Sequence, residues 1–270
     1  MTNGGRLMFG VPVEQEAFVA RYSAFFETLH RLKELCERVF LRQIEPQEPA
    51  QSVVFMLGRA TVEDFHEILL LGPNGYGIGA LKLARAMFER VVTMLYLSSH
   101  PEEVADFLDY YWVHRWRMIN HARDTGIDLG ERVGDQEITR ASAEYDRVKG
   151  KYEETICAKC GTKRVRYSWS RKDLRTMAIE VGLGPTYTMA YFWPTLLYHT
   201  TAVGMEIRLH ETDGGISFRW EAQRQEAGQA LAVAHVCLAM ALETANRALN
   251  LGLDAEMKTL KTDVQRCWQV

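Results

Sequence analysis

The stretch "ALKLARAMFERVVTMLYLS", residues 80–98, decides the fold. Its apolar residues Leu81, Leu83, Met87, Phe88, Val91, Val92, Met94, Leu95 and Leu97 surround almost the whole circumference of a helix. A helix that is apolar on all sides belongs in the interior, packed by other helices. Among the charged residues that interrupt it, Arg85 and Glu89 stand one turn apart. Long charged side chains are rarely fully buried without a partner. Arg before Glu is the weaker order for a pair on one helix surface, so the two are expected to face a polar cavity between helices. His199 falls on another apolar stripe, Phe192, Leu196, His199 and Val203. A hydrogen-bonded core histidine is one reading of it. The other is an anion-binding or acid–base site formed where Arg85, Glu89 and His199 meet.

The flanking sequence repeats the helical period. Phe18, Tyr22, Phe25, Phe26, Leu29, Leu32, Leu35, Cys36 and Val39 recur every three or four residues, which predicts a helix from Val13 to about Arg42 after a weakly structured lead-in at 1–12. "EPQEP" breaks it, because proline cannot continue a helix, and a second helix is expected from Pro49 to Leu71. "GPNGYGIGA" lacks the GK[ST] ending of a phosphate-binding loop and reads as a turn between helices. "HPEE" opens a helix reaching about Arg123, with Pro101 in its first turn. The glycines at 126, 130 and 134 mark a loop. Residues 135–155 form a charged arm with a thin apolar stripe. Later helices are expected from "SRKDLRTMAIEVGLG", from "TYTMAYFWPTLLYHTTAVGM" with a bend or restart at Pro194, from Arg219 to Leu249, and from Asp254 to Trp268; "HETDGGIS" reads as a turn. The expectation is an all-α bundle of seven to nine helices with almost no sheet. It forms a single domain over 13–270, with 126–168 inserted as the arm and a basic CxxC segment.

Composition bounds the rest. The 270 residues are 47% hydrophobic and 25% charged, ordinary for a globular chain, with a net charge of −3. That charge provides no overall attraction to nucleic acid or anionic membrane. Between Lys159 and Arg175, however, seven basic residues stand against one acid, Asp173, a local +6 that leaves about −9 for the remainder. Such asymmetry points to an anionic partner. No uninterrupted apolar run approaches the roughly 18 residues of a membrane span, so no membrane partner is expected. Five cysteines at scattered positions do not resemble a disulfide framework, which makes a reducing cytoplasm the expected setting.

"CAKCGTKRVRYSWSRKDLR", residues 157–175, holds the most distinctive chemistry. Cys157 and Cys160 have the spacing of half a zinc site, with Gly161 where a turn glycine belongs. Structural zinc takes four ligands, so His199, His210, Cys237 or a second copy of the chain would have to complete it; the alternative is two ordinary thiols. Lys163, Arg164, Arg166, Arg171 and Lys172, interleaved with Tyr167 and Trp169, combine cations for phosphate with aromatic faces for bases, the ingredients of single-stranded RNA binding. A solvated loop anchored by its tryptophan has the same composition.

The residues Arg85, Glu89, Trp169, Tyr187, Tyr191 and His199, over about 50–210, resemble a family of bacterial helical proteins of unknown function. In it, an Arg-x-x-x-Glu helix is followed by a Trp-led helix ending in Tyr-x-x-x-Tyr and a late histidine. The resemblance implies no activity. More distantly, the helical pattern and the spacing of Arg115 and His121 in "RWRMINH" are similar to the HEPN superfamily. Many HEPN members are ribonucleases with an Arg-x4–6-His motif at a dimer interface. That similarity implies a homodimer in which His121 is general acid or base and Arg115 stabilises phosphate charge. Here Trp116 stands where a small polar residue is usual. A non-catalytic helical scaffold is the third expectation.

Overall fold

A computed structural model describes residues 12–46, 48–127, 129, 133–199, 201–212, 214–218 and 224–268. The chain divides into two compact units. One joins residues 1–99 to 174–270, and the other is residues 100–173. The lead-in before Pro12 lies outside the described residues.

The first unit begins with α1 (Pro12–Arg21), α2 (Ser23–Phe26) and α3 (Leu29–Phe40), where one continuous helix is expected. The break has a local cause. Buried Thr28 donates its hydroxyl to the Phe25 carbonyl at 2.8 Å, competing with the helical ladder. α4 (Pro49–Leu71) starts with proline in its first turn, and α5 (Gly77–Ser99) follows the glycine-rich turn. In α5, Leu81, Ala84, Met87, Phe88, Val91, Val92, Met94 and Leu97 are all buried. Burying each of the larger ones contributes about 1.5–3 kcal/mol. Gly58 of α4 permits a close approach, because a Cβ there would run into the buried Phe40 ring.

The second unit contains α6 (Val104–Asp124), α7 (Asp135–Val148) and a hairpin of β1 (Glu153–Thr155) and β2 (Lys163–Val165), antiparallel with Glu154 opposite Arg164. Its core is small and aromatic: Tyr110, Val113, Val148 and Tyr152, with Trp112, Tyr145, Val165 and Trp169 packed around them. Tyr152 donates to the Asp106 carbonyl at 2.6 Å. Lys151 pairs with Asp106 and Asp109, and Arg147 with Asp109. The expected charged arm is therefore a folded part of this unit, and it closes with a hairpin where no sheet is expected.

The chain then returns to the first unit through α8 (Leu174–Glu180), α9 (Gly184–Tyr187), a π turn at Thr188–Phe192, α10 (Trp193–Tyr198) and α11 (Ala202–Glu206). The bend expected at Pro194 is present: the π turn precedes it, and α10 restarts with Pro194 in its first turn. This fragmentation makes the helical segments more numerous than the expected seven to nine. Most of "HETDGGIS", expected as a turn, is strand instead: β3 (Leu209–Thr212) pairs antiparallel with β4 (Gly215–Phe218). α12 (Ala227–Ala248) packs against α4 and α5, its buried Ala230, Ala234, Ala241 and Ala245 permitting close approach; the expected start at Arg219 lies outside the described residues. By length and composition α12 could cross a membrane, although its apolar residues form no unbroken run, and 61% of its most apolar stretch is buried among these helices. α13 (Asp254–Trp268) is tied to α3 by Arg31–Asp263 at 2.7 Å and Arg38–Glu256 at 2.9 Å.

Candidate functional site

Arg85 points from α5 onto the π turn and α10. Its Nε donates to Thr195 Oγ1 at 2.7 Å and an Nη to Tyr191 Oη at 2.9 Å, with the guanidinium 4.4 Å from the centre of the Tyr191 ring. Thr195 in turn donates to the Tyr191 carbonyl at 2.6 Å, and Tyr187 lies against Tyr191 with ring centres 5.3 Å apart. The extra residue of a π turn rotates the side chains that follow it, and such turns concentrate at functional positions. Here the turn presents Tyr191 and Thr195 to a single arginine.

Glu89 and His199 do not join this cluster. Glu89 is exposed, and among the described residues it forms no ion pair with Arg85. His199 is exposed just past the end of α10, in extended backbone, with its ring against Tyr198 at 5.0 Å. The polar site expected to unite Arg85, Glu89 and His199 is thus corrected to a half-buried arginine held by two hydroxyls. The physical reason is angular, because four residues advance a helix by about 400°. That offset takes Glu89 past the rim of the packed face. The charge pair the helices do share lies next door, where Arg90 of α5 meets buried Asp64 of α4.

Arg115 and His121 are also kept apart. Arg115, on α6, faces Glu137 of α7 at 3.6 Å, and its Nε is buried without a hydrogen bond. His121 is exposed on another side of the same helix. Six residues on a straight helix are about 240° apart, so one copy of α6 cannot bring both to one phosphate.

The basic segment forms the end of the second unit, and its cations divide by task. Lys163 pairs with Glu153 at 3.3 Å and Arg164 with Glu154 at 3.0 Å, across the β1–β2 hairpin. Arg166 donates to the Ser168 carbonyl at 2.9 Å and to the Trp169 carbonyl at 2.5 Å, and lies 5.3 Å from the Tyr152 ring centre. Trp169 is half-buried, edge to face with Phe107 at 5.4 Å. Arg166 and Trp169 therefore fold the loop down onto the core, as the anchored-loop reading expects.

Tyr167 is different: it is 76% exposed. The Arg117 guanidinium stands 4.7 Å and that of Arg164 5.5 Å from its ring centre. Arg117 is itself held by the carbonyls of Val165 and Arg166 and by the Tyr110 hydroxyl, at 2.8 to 2.9 Å. Beside the ring a cleft of about 620 Å³ is lined by Arg166, Tyr167, Ser168, Ser170 and Arg171 together with Glu153, Glu154 and Thr155. Arg171 and Lys159 are exposed, and Lys172 is half-buried. Sequence reasoning does not single out Arg117. The available signal is that Tyr110 and Arg117, seven residues apart, share a face of α6.

Cys157 and Cys160 occupy the tip of the hairpin, and both thiols are free. Burial pushes Cys36 and Cys237 up to about 12, whereas Cys160 is drawn down to about 7, first by the Thr162 hydroxyl and then by the Cys157 side chain and the Thr162 amide. No cluster of three or more metal-ligating side chains occurs among the described residues, which do not include the His210 side chain.

An α-helical protein with a pinned arginine in one unit and a ringed tyrosine in the other is the class that fold and site define. The chain belongs to DUF5677, a family of unknown function whose model matches residues 51–216. No curated protein and no solved structure matches it.

Proposed function

We propose that the 100–173 unit binds single-stranded nucleic acid, RNA foremost, through the face that carries Tyr167. The observation behind this reading is an aromatic ring left 76% exposed while two guanidiniums flank it. Exposed aromatic faces stack on bases of any sequence, for about 1–3 kcal/mol per base, and arginines beside them meet the phosphates. Arg171, Lys172 and Lys159 extend the cationic track. Lys163 and Arg164 are paired, but exposed ion pairs are worth only about 0–1 kcal/mol, so both can exchange a carboxylate for a phosphate. Arg166 and Trp169 act as struts that hold Tyr167 outward. The Arg85 cluster has no part in this contact.

The test is fluorescence anisotropy of labelled twelve-nucleotide RNA and DNA strands against rising salt. With three phosphate contacts, log K is expected to fall against log salt with a slope of about −2, and Arg171→Ala to reduce that slope by about 0.7. Absence of binding to either strand at low salt, or an affinity indifferent to salt, contradicts the reading.

A further inference from the structure

The hairpin tip carries chemistry that nucleic-acid contact leaves unused. Its last rung is the Ile156 amide donating to the Thr162 carbonyl at 2.9 Å, which closes a five-residue loop, "CAKCG", between the strands. Within the loop the Gly161 amide donates to the Cys157 carbonyl at 3.0 Å. Gly161 has φ +68°, the left-handed region that favours glycine, and its missing side chain would have met open space. The loop therefore turns back so that both cysteines sit at the hairpin tip, Cys160 exposed and Cys157 half-buried. Cys160 Sγ lies 2.8 Å from Thr162 Oγ1. Two thiols on a tight, backbone-braced turn, one of them exposed, form half of a tetrahedral thiolate site. Among the described residues nothing provides the other half. A structural zinc bound by thiolates takes four ligands.

We infer that Cys157 and Cys160 bind Zn²⁺ jointly with the same two cysteines of a second copy of this chain, so that one metal with four thiolates joins two hairpin tips. On binding, each of the four thiols releases its proton to solvent and forms one Zn–S bond, leaving the site with a charge of −2. Lys159, between the cysteines in sequence, and the paired Lys163 offset that charge. The site is incomplete in one chain, so metal and pairing are linked: zinc promotes the dimer, and a chelator dissolves it.

The experiment uses the full chain purified under reducing conditions. Zinc is measured by elemental analysis, mass by light scattering with and without EDTA, and the sulfur count by the visible spectrum of the Co²⁺-loaded protein. Wild type is expected to hold one zinc per two chains, to be dimeric with zinc and monomeric after EDTA, and to show the cobalt spectrum of four thiolates. Cys157→Ser and Cys160→Ser are each expected to lose at least ten-fold in zinc affinity while keeping the wild-type circular dichroism, since the exposed tip bears no core contact. One zinc per chain on a monomer, a cobalt spectrum with only two sulfurs, a Cys157–Cys160 disulfide in place of metal, or zinc content unchanged in both variants would overturn the inference.

Discussion

Arg85 and Glu89 stand one turn apart in a long helix whose other faces are largely buried, yet only the arginine turns inward. The oily helix itself and the need of its arginine for partners are readable in the sequence. The partners are not, since Tyr191 and Thr195 lie 106 and 110 residues away and meet Arg85 only through the fold. His235 shows the same limit. It sits among the alanines and leucines of α12 with nothing to mark it, but it is fully buried and accepts a hydrogen bond from Trp268 Nε1 at 3.0 Å on Nδ1. Burial holds its pK down to about 4 from 6.5, against the weaker opposing pull of Asp263. A folded pK below the unfolded one means the unfolded chain binds the proton more tightly. The stability His235 provides is thus fully present above about pH 6.5 and lost as pH falls towards 4. A shift of that size amounts to roughly 3 kcal/mol. Urea unfolding from pH 7 to 4 is expected to show this slope in wild type and a flatter one in His235→Gln; parallel curves would contradict the assignment.

At the scale of elements, the π turn and the β1–β2 hairpin both depart from plain helices, and both carry a candidate site. Proline marked the first, because Pro194 forces a restart, although the contact of Arg85 with Tyr191 on the widened turn before it has no local signal. No signal marked the second. The three-residue strands are short and charged, and their pairing rests on Glu153–Lys163 and Glu154–Arg164 across the ladder. Read along the sequence, those residues suggest only a basic loop. If Arg85 holds the π turn, removing either partner disrupts the same contact. Arg85→Met and Tyr191→Phe are each expected to lower unfolding free energy by about 1–3 kcal/mol. The double variant is expected to lose less than their sum by at least about 0.5 kcal/mol. Strict additivity in denaturant melts would show that the two do not act together.

On the scale of the whole molecule, a bundle built on α4, α5 and α12 is accompanied by a 74-residue unit with its own aromatic core. The all-helical character was legible because period and composition agree along most of the chain. The second unit's separateness was not, because its stripe is thin and its small core of Tyr110, Val113, Val148 and Tyr152 is completed by half-buried Trp112, Tyr145, Val165 and Trp169. The family's match across residues 51–216 takes in all of this unit. The central claim is that the exposed ring of Tyr167 is a platform for bases, and replacing that ring tests it most directly. Anisotropy titrations of one labelled single-stranded RNA are predicted to give wild-type affinity for Tyr167→Phe and a loss of about 5- to 100-fold for Tyr167→Ala. Equal affinity in all three proteins, or an equal loss in both variants, would contradict it.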